Sequence, residues 1–571
     1  MTIAIDDGVA AKASTAPSAT ITAALVKHAA EGNGVFCHFV QAGGVSVISH
    51  ADLLREARRY AAFFRRSGVE PGQVVLIILR HSPELLYSFL GAMLAGAIPS
   101  FMPPATSKQD PRLYWSAHEK LFTRIGAGVL LTARDNLPAI RENFASLPLR
   151  LLAAEDAEDG ESRGGDFSAQ PDAIALLQHS SGTTGLKKGV ALSHAAVLRQ
   201  VASYAGALRL AADDRIVSWL PLYHDMGLIA CFLLPLVTRT PVVLLDPFEW
   251  VVNPGLLFDA VKRYRGTLCW MPNFAFHHLC RAVRPSPAQD LSSMRAWIDC
   301  SEPCHPETFG LFARTFAAAG VRPEQLQVCY AMAETVFAVT QTPPGQIPRV
   351  LNIDVDACRD HGRIVVAGEG TAHRALLSTG AAIRGIEVRI RDDRGETLPD
   401  DQVGEIAVSG DCLFDGYFKL EEETRRKLRD GWYQTGDLGF LHNGELYVTG
   451  RKSDLIIVHG RNYHAHELEY LINQIPGVHP GRNVAAGWFR PEVGSEEVIV
   501  LAEFDPAAGA DRATLVQAIK QRLLDEAALL VYDVQLVQPG WLVKTTSGKL
   551  SRIENLHKYL AMRAATLARA V

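Results

Sequence analysis

Between residues 50 and 266 the chain alternates short apolar runs with stretches whose apolar residues recur at helical spacing, and few architectures accept that alternation. ADLLREARRYAAFFRRSG (51–68) stops at a glycine, passes through PGQ into VVLIIL, and continues as PELLYSFLGAMLAG. The rhythm returns in GVLLT (128–132), AIALLQHS (173–180), RIVSWL (215–220), PVVLLD (241–246) and the helix-like GLLFDAVKRYRG (255–266). Uninterrupted apolar strands between helices are strands covered on both faces, so the pattern predicts an α/β fold built on a large doubly wound region of parallel strands.

After Pro343 the texture changes to short strands and turns, with Asp393-Arg394-Gly395 and Asn443-Gly444 as hairpin signals, which predicts a β-rich subdomain. Beyond Gly450 strand and helix alternate again, with HELEYLINQI and ATLVQAIKQRLL as helices and EEVIVLAEF as a strand. A chain of 571 residues exceeds what one core organises. The expected layout is a mobile segment over 1–20, an N-terminal domain over 21–450, a hinge at 451–454, and a small mobile α+β domain over 455–571.

Charge narrows the function. Lys plus Arg number 57 against 62 Asp plus Glu, without a long run of either sign, so the basic footprint of a nucleic-acid binder is missing. No stretch reaches about 18 uncharged apolar residues, and Asp6 and Asp7 stand where a secretory signal carries basic residues, so a cytoplasmic, non-transmembrane protein is expected. The nine cysteines are odd in number and spread from Cys37 to Cys412, as reduced thiols would be. Cys300 and Cys304 have no second Cys or His pair at metal spacing, and His459, His464 and His466 match no zinc pattern; the latter read as polar residues around a loop.

One segment carries explicit chemistry. Residues 177–189, LQHSSGTTGLKKG, follow an apolar strand and combine three glycines, four hydroxyl side chains and two lysines. Glycines admit close approach of backbone N–H groups to phosphate oxygens, hydroxyls donate further bonds, and lysine adds compact positive charge. The competing reading, a plain Ser/Gly surface turn, does not account for paired lysines between two apolar strands. The register of a Walker A loop does not fit.

SSGTTGLKKG (180–189) resembles the phosphate loop of the adenylate-forming superfamily of acyl-CoA synthetases, luciferases and peptide-synthetase adenylation domains, with Lys187 where that family usually has Pro. Six more motifs resemble the family's in the same order: WLPLYHDMGL (219–228), YAMAET (330–335), GEIAVSG (404–410), YQTGDLG (433–439), GRKSDLIIVHGRNYHAHELE (450–469) and KTTSGKLSR (544–552). The resemblance implies ATP as substrate and Mg as cofactor. It implies that Ser180, Ser181, Gly182, Thr183, Thr184, Gly185 and Lys188 hold the ATP phosphates. His224 would close over the acyl site, Glu334 would reach Mg, and Thr335 would bond the α-phosphate. Ser301, Glu302, Pro303, Tyr330 and Ala331 would border adenine, while Asp437 and Arg451 would hold the ribose. Lys549 would swing in to neutralise charge in the transition state, and Ser453 stands at the position on which the family's C-terminal domain pivots. These assignments are chemically apt: Asp437 offers two acceptor oxygens to ribose hydroxyls, and Glu334 a hard oxygen for magnesium.

Within the superfamily the chain is most similar to fatty acyl-AMP ligases, through WLPLYHDMGL, MPNFAF (271–276), SEPC (301–304) and a segment at 348–380 that resembles the insertion marking them. This implies a fatty or related carboxylic acid as substrate and an acyl carrier protein as acceptor, CoA being the alternative. Trp219, Trp270, Asn273 and Phe274 are expected to wall the acyl pocket. Together with Phe232 and Phe276 they make that pocket apolar, and no acidic residue is evident there to receive an amine. A silent homologue that only binds the adenylate is the reading from another class. The complete set Glu334, Asp437, Arg451 and Lys549 counts against it. Gly185 where the subfamily commonly has Arg, Val543 where the family has Pro, and Ser453 are departures from the pattern.

Overall fold

A computed structural model describes residues 18–32, 34–106, 111–158, 165–180, 188–354, 357–358, 362–368, 373–459, 461–504, 511–544 and 549–570. The α/β expectation is borne out. Among these residues a nine-stranded sheet dominates, with order Ala381–Ala382, Ala338–Gln341, Leu326–Ala331, Ala296–Cys300, Leu268–Met271, Ile216–Ser218, Val242–Leu245, Val35–Gln41 and Gly44–Ser49. From Leu326–Ala331 across to Val35–Gln41 every pairing is parallel, and the strands nearer the edges pair antiparallel. A second sheet of Ile98–Phe101, Val74–Ile78, Val129–Thr132 and Arg150–Ala153 is parallel throughout.

The helices between these strands form where the sequence spaces its apolar side chains and caps the ends. His50–Arg66 begins with a capping box in which Ser49 accepts from the Asp52 N–H and the Asp52 carboxylate accepts from the Ser49 N–H. It packs against Pro83–Leu94 closely enough that a Cβ on Gly91 would lie 2.4 Å from Tyr60 Cβ and 2.7 Å from the Ala57 carbonyl oxygen, so only glycine fits. One continuous core joins both sheets, with Trp250, Trp270, Trp297, Tyr60 and Tyr204 among its fully enclosed side chains.

An antiparallel sheet of Ile386–Arg391, Gly404–Gly410, Trp432–His442, Leu428–Arg429 and Glu445–Arg451 follows, as the hairpin signals predict. Within the 348–380 segment, Val350–Asp354 and His373–Leu377 pair as an antiparallel ribbon, and Ile353 and Leu376 pack on Phe440 and Tyr447 of that sheet. After a short helical turn at Lys452–Asp454, the elements from Leu455 onward gather their own apolar cluster around Ile456, Leu468, Val500, Ile519 and Leu536. Among the described residues no helix is long and apolar enough to cross a membrane.

Candidate active site

The parallel strands of the large sheet end at one edge, where open α/β sheets bind ligands. Strand Leu326–Ala331 delivers Tyr330 and Ala331 to that edge, and a tight turn at Ala333–Thr335 follows. The turn closes through Val336 at φ +65°, a left-handed conformation that is strained for a β-branched residue. Glu334 is buried, and its carboxylate accepts a 2.7 Å bond from the Tyr417 hydroxyl, which lies 3.2 Å from that of Tyr433. Thr335 is wholly enclosed and its hydroxyl points to the carbonyls of Met332 and Phe337, so it stands behind the turn rather than on its open side.

Across from this turn the antiparallel sheet places Asp437 against Arg451, paired in register on neighbouring strands. Arg451 Nε donates to Asp437 Oδ1 at 3.1 Å and the Tyr330 hydroxyl donates to Oδ2 at 2.7 Å. The two ribose candidates and one adenine candidate thus meet on a single carboxylate. Lys188, at the start of the strand after the phosphate loop, is paired with Glu423 and lies 4.7 Å from the Tyr417 ring centre. Tyr417 therefore links the lysine to Glu334. Ser180 ends the strand before the loop; Ser181, Gly182, Thr183, Thr184 and Gly185 lie outside the described residues.

Strand Ala296–Cys300 leads into Ser301, Glu302 and Pro303, with Ser301 at φ +71°. Glu302 accepts from the Phe274 N–H at 3.2 Å, capping the helix Asn273–Ala282. Burial pushes the Glu302 carboxyl upward, opposed by the Lys549 charge and by that N–H. Lys549 reaches the same spot from the far end of the chain and donates to the Ser301 carbonyl at 3.1 Å. Two further contacts support this approach: the rings of His305 and Tyr470 stack at 4.3 Å, and Arg374 of the 348–380 segment pairs with Glu467.

Among the acyl-pocket candidates, the sequence after His224 folds as an uncommon π-helical turn, Met226–Leu233, with Asp225 capping its first N–H at 2.9 Å. Gly227 makes it possible, since a Cβ there would sit 2.3 Å from the Pro221 carbonyl. Trp219 stacks on Trp250 at 3.6 Å and meets Phe274 edge-on at 6.2 Å, while Phe274 is 48% exposed. Trp270 lies elsewhere: it is fully enclosed and its indole N–H is taken by the Tyr204 hydroxyl at 2.8 Å, as a core residue. Phe232 packs on Phe36 and Phe89, and Phe276 on Phe309 and Phe312, likewise inside. Two acids stand beside these candidates, where none was expected: Asp225 caps the Met226 turn and Glu302 bonds the Phe274 N–H, and burial raises both carboxyls above their ordinary range. Sequence reading missed Tyr417 and Glu423, which belong to stretches without a recognisable motif, and Tyr433, although it opens the YQTGDLG segment. His464 and His466 are half-buried, with their rings against Gly450, and burial lowers the pKa of both.

Residues 26–418 match the family model described as AMP-binding enzyme. The chain belongs to that family of adenylate-forming enzymes. It is 30% identical over 540 residues to the long-chain-fatty-acid–AMP ligase FadD32 of Mycolicibacterium smegmatis, covering 85% of this chain and 84% of that protein. It is 28% identical over 543 residues to the medium-chain-fatty-acid–[acyl-carrier-protein] ligase JamA of Moorena producens, covering 90% of each. Its fold matches a solved structure from a study of fatty acyl-adenylate ligases of E. coli and L. pneumophila with a TM-score of 0.88, at 27% identity over 96% of this chain and 98% of that one. Adenylation of a carboxylic acid with ATP is the chemistry of this AMP-binding enzyme.

Proposed function

We propose that this AMP-binding enzyme activates a fatty or related carboxylic acid as acyl-AMP and passes the acyl group to the phosphopantetheine thiol of an acyl carrier protein, in the cytoplasm. The observation that carries the reading is the Lys549 ammonium at 3.1 Å from the Ser301 carbonyl, beside the Glu302 end of the acyl region and on the same edge as Asp437 and Glu334. A cation brought there from the last part of the chain suits a reaction that concentrates negative charge.

In the first step an oxygen of the acid attacks the α-phosphorus of ATP, the bond to the β-phosphate breaks, and pyrophosphate leaves. Asp437 keeps lone pairs beyond those used by Arg451 and Tyr330, enough to accept from the ribose hydroxyls. The loop over 180–185 and Lys188 hold the phosphates. The Glu334 carboxylate, with one oxygen held by Tyr417, is a hard ligand of the kind magnesium takes together with substrate phosphates, so the residues present fit the ion. Bound there, magnesium would supply charge neutralisation on the phosphates. Thr335 holds the turn that aims Glu334. His224 and Trp219 lie where the acid enters, with Asn273 and Phe274 opposite. Ser453 sits in the turn before the C-terminal elements, which we take as the mobile unit that brings Lys549 in and withdraws it for thioester formation.

Fatty acid as substrate is supported by the names of FadD32 and JamA, and the carrier acceptor by that of JamA. Pyrophosphate exchange over a panel of short to long fatty acids and aryl acids tests the first step: turnover with fatty acids is expected, and none with any acid overturns the reading. Offering purified holo carrier protein and CoA to the preformed adenylate tests the second, and robust thioester formation with CoA alone refutes the carrier assignment.

A further inference from the structure

A carboxylate has no natural place beside a phosphate grip, because it repels the anion that the grip must hold. Glu423 nonetheless pairs with Lys188, the cation that begins the strand after the phosphate loop. The pair is largely enclosed, with 15% of the Lys188 side chain and 18% of the Glu423 side chain exposed, so water and salt screen it less than an ordinary surface pair. Local folding sets its geometry. Gly416–Tyr417 pairs antiparallel with Val190–Ala191 of the strand that Lys188 begins, and the Phe418 N–H donates to the Gly189 carbonyl at 2.8 Å. The Tyr417 N–H donates at 2.9 Å to the Thr424 hydroxyl, which in turn donates to the Leu420 carbonyl, and this stitches the strand to the helix Glu421–Lys427. Glu423 therefore approaches Lys188 from an element anchored on the lysine's own strand. Arg426, on the next turn of the helix, bonds the same carboxylate at 2.6 Å. Lys427, one helical turn beyond Glu423, donates to the Gln434 carbonyl at 3.1 Å, beside Gly436, whose Cβ would lie 3.5 Å from the lysine Nζ. One short helix thus touches both the phosphate-loop lysine and the turn that carries Asp437.

The Lys188 ammonium is held from two sides. Glu423 takes one of its donors, and the Tyr417 ring centre lies 4.7 Å from Nζ, so the cation rests against the aromatic face. The hydroxyl of that ring donates to Glu334 at 2.7 Å, so a single tyrosine spans Lys188 and Glu334. An ammonium has three donors, and Glu423 leaves the others for phosphate oxygens. Burial pushes the Glu423 carboxyl up, but bonds from Arg426 and Lys188 outweigh it and leave the carboxyl below its ordinary range, so it stays ionised. We propose that Glu423 is a positioning residue of the adenylation reaction, fixing the Lys188 ammonium against Tyr417 so that it meets the phosphates as pyrophosphate departs. The inference rests on the adenylation reading above, with Lys188 as a phosphate ligand. Glu423 itself repels ATP, so its removal costs rate rather than affinity, a split that a merely stabilising ion pair would not produce.

The test is pyrophosphate exchange by the full-length enzyme, with the best acid of the panel and varied ATP, in a cycle of Glu423→Ala, Lys188→Ala and the double variant. Alanine is the best helix former, so Glu423→Ala leaves the helix Glu421–Lys427 intact. Its kcat should fall about 10- to 100-fold, the loss that a displacement of about 1 Å brings, while KM for ATP stays level or drops. Glu423→Gln keeps an oxygen for Lys188 and should recover kcat to within about threefold of wild type. In the Lys188→Ala background, Glu423→Ala should change kcat by less than about twofold, since the residue acts only through the lysine. A full further fall in that background overturns the assignment, as do wild-type exchange by Lys188→Ala, a raised KM with unchanged kcat, and a Glu423→Gln as slow as the alanine variant. Should Glu423→Ala not fold, Glu423→Asp keeps the charge but draws the carboxylate back by one methylene, and its kcat must fall about tenfold for the role to stand. Wild-type enzyme that exchanges with no acid sinks the adenylation reading and this role together, whereas normal exchange with an unaltered kcat in Glu423→Ala sinks Glu423 alone.

Discussion

Replacing Lys549 by alanine isolates the contribution of the C-terminal unit to the first chemical step. The side chain is exposed, and it donates a hydrogen bond to the Ser301 carbonyl. Loss of such a surface contact costs about 0.5 kcal/mol or less, so the melting temperature should move by about 2 °C at most. The kinetic cost is of another order. Removing one preorganised donor from the place where an oxyanion develops lowers kcat by about 10²–10³, or about 2.7–4 kcal/mol. Pyrophosphate exchange at saturating ATP and acid should therefore fall by that factor in Lys549→Ala, with KM for ATP little changed. A second signature follows from charge. Lys549 holds down the carboxyls of Asp225 and Glu302, so its loss lets both rise, and any acid limb of the pH–rate profile should move to higher pH. Exchange within threefold of wild type in a folded variant refutes the assigned role.

Tyr417→Phe removes the hydroxyl that orients Glu334, a charge-assisted bond of about 1.5–3 kcal/mol, and titration of magnesium in the exchange assay should show a requirement raised about tenfold or more. Asp437→Ala strips Arg451 and Tyr330 of their shared acceptor and should raise KM for ATP about 10- to 100-fold, with the apparent affinity for the acid nearly constant; an unchanged KM contradicts ribose binding. Asp214→Asn tests stability away from the site. Burial pushes this carboxyl up, but bonds from Arg295, the Ala211 N–H and Thr267 outweigh it and leave the carboxyl below its ordinary value. A depressed folded value gives stability that is present above the unfolded value of about 3.9 and is lost as pH falls through the folded one. The variant should be less stable by about 1.5–3 kcal/mol near pH 7 in urea unfolding, and the gap should narrow below about pH 4.

Legibility in the sequence followed periodicity and local motif. The buried runs VVLIIL and GVLLT became the centre of a parallel sheet, because an apolar strand between helices has few places to go. Asp437, Arg451 and Tyr330 were found from separate motifs, and the fold brings them onto one carboxylate. What stayed hidden depends on side-chain direction across long separations. Trp270 reads as a pocket aromatic, yet its strand position turns it to the Tyr204 face. Tyr417 has no signature of its own and gains its role only because Gly416–Tyr417 pairs with Val190–Ala191, more than two hundred residues away. Asp299 sits within an apolar-looking strand end, where its complete burial is invisible until the neighbours are known.

The site is assembled from parts of unequal permanence. Asp437, Arg451, Tyr330 and Glu334 are tied to the two sheets by register and by a buried hydroxyl network, so they remain in place whatever the C-terminal elements do. Lys549 is held by different means: its bond to Ser301, the Arg374–Glu467 pair and the His305–Tyr470 stack are polar or aromatic contacts at a boundary between two apolar clusters that do not merge. Ion pairs of partial exposure contribute about 0–1 kcal/mol each, so separating this boundary costs little beside the stability of either cluster. On the proposed reading, departure of Lys549 after adenylate formation then costs little, while the contacts among Asp437, Arg451 and Tyr330 stay made. A variant such as Glu467→Ala should loosen that boundary, and limited proteolysis should show faster cleavage between the clusters with the melting of each little altered; unchanged cleavage would mean that the Arg374 contact does not restrain the unit.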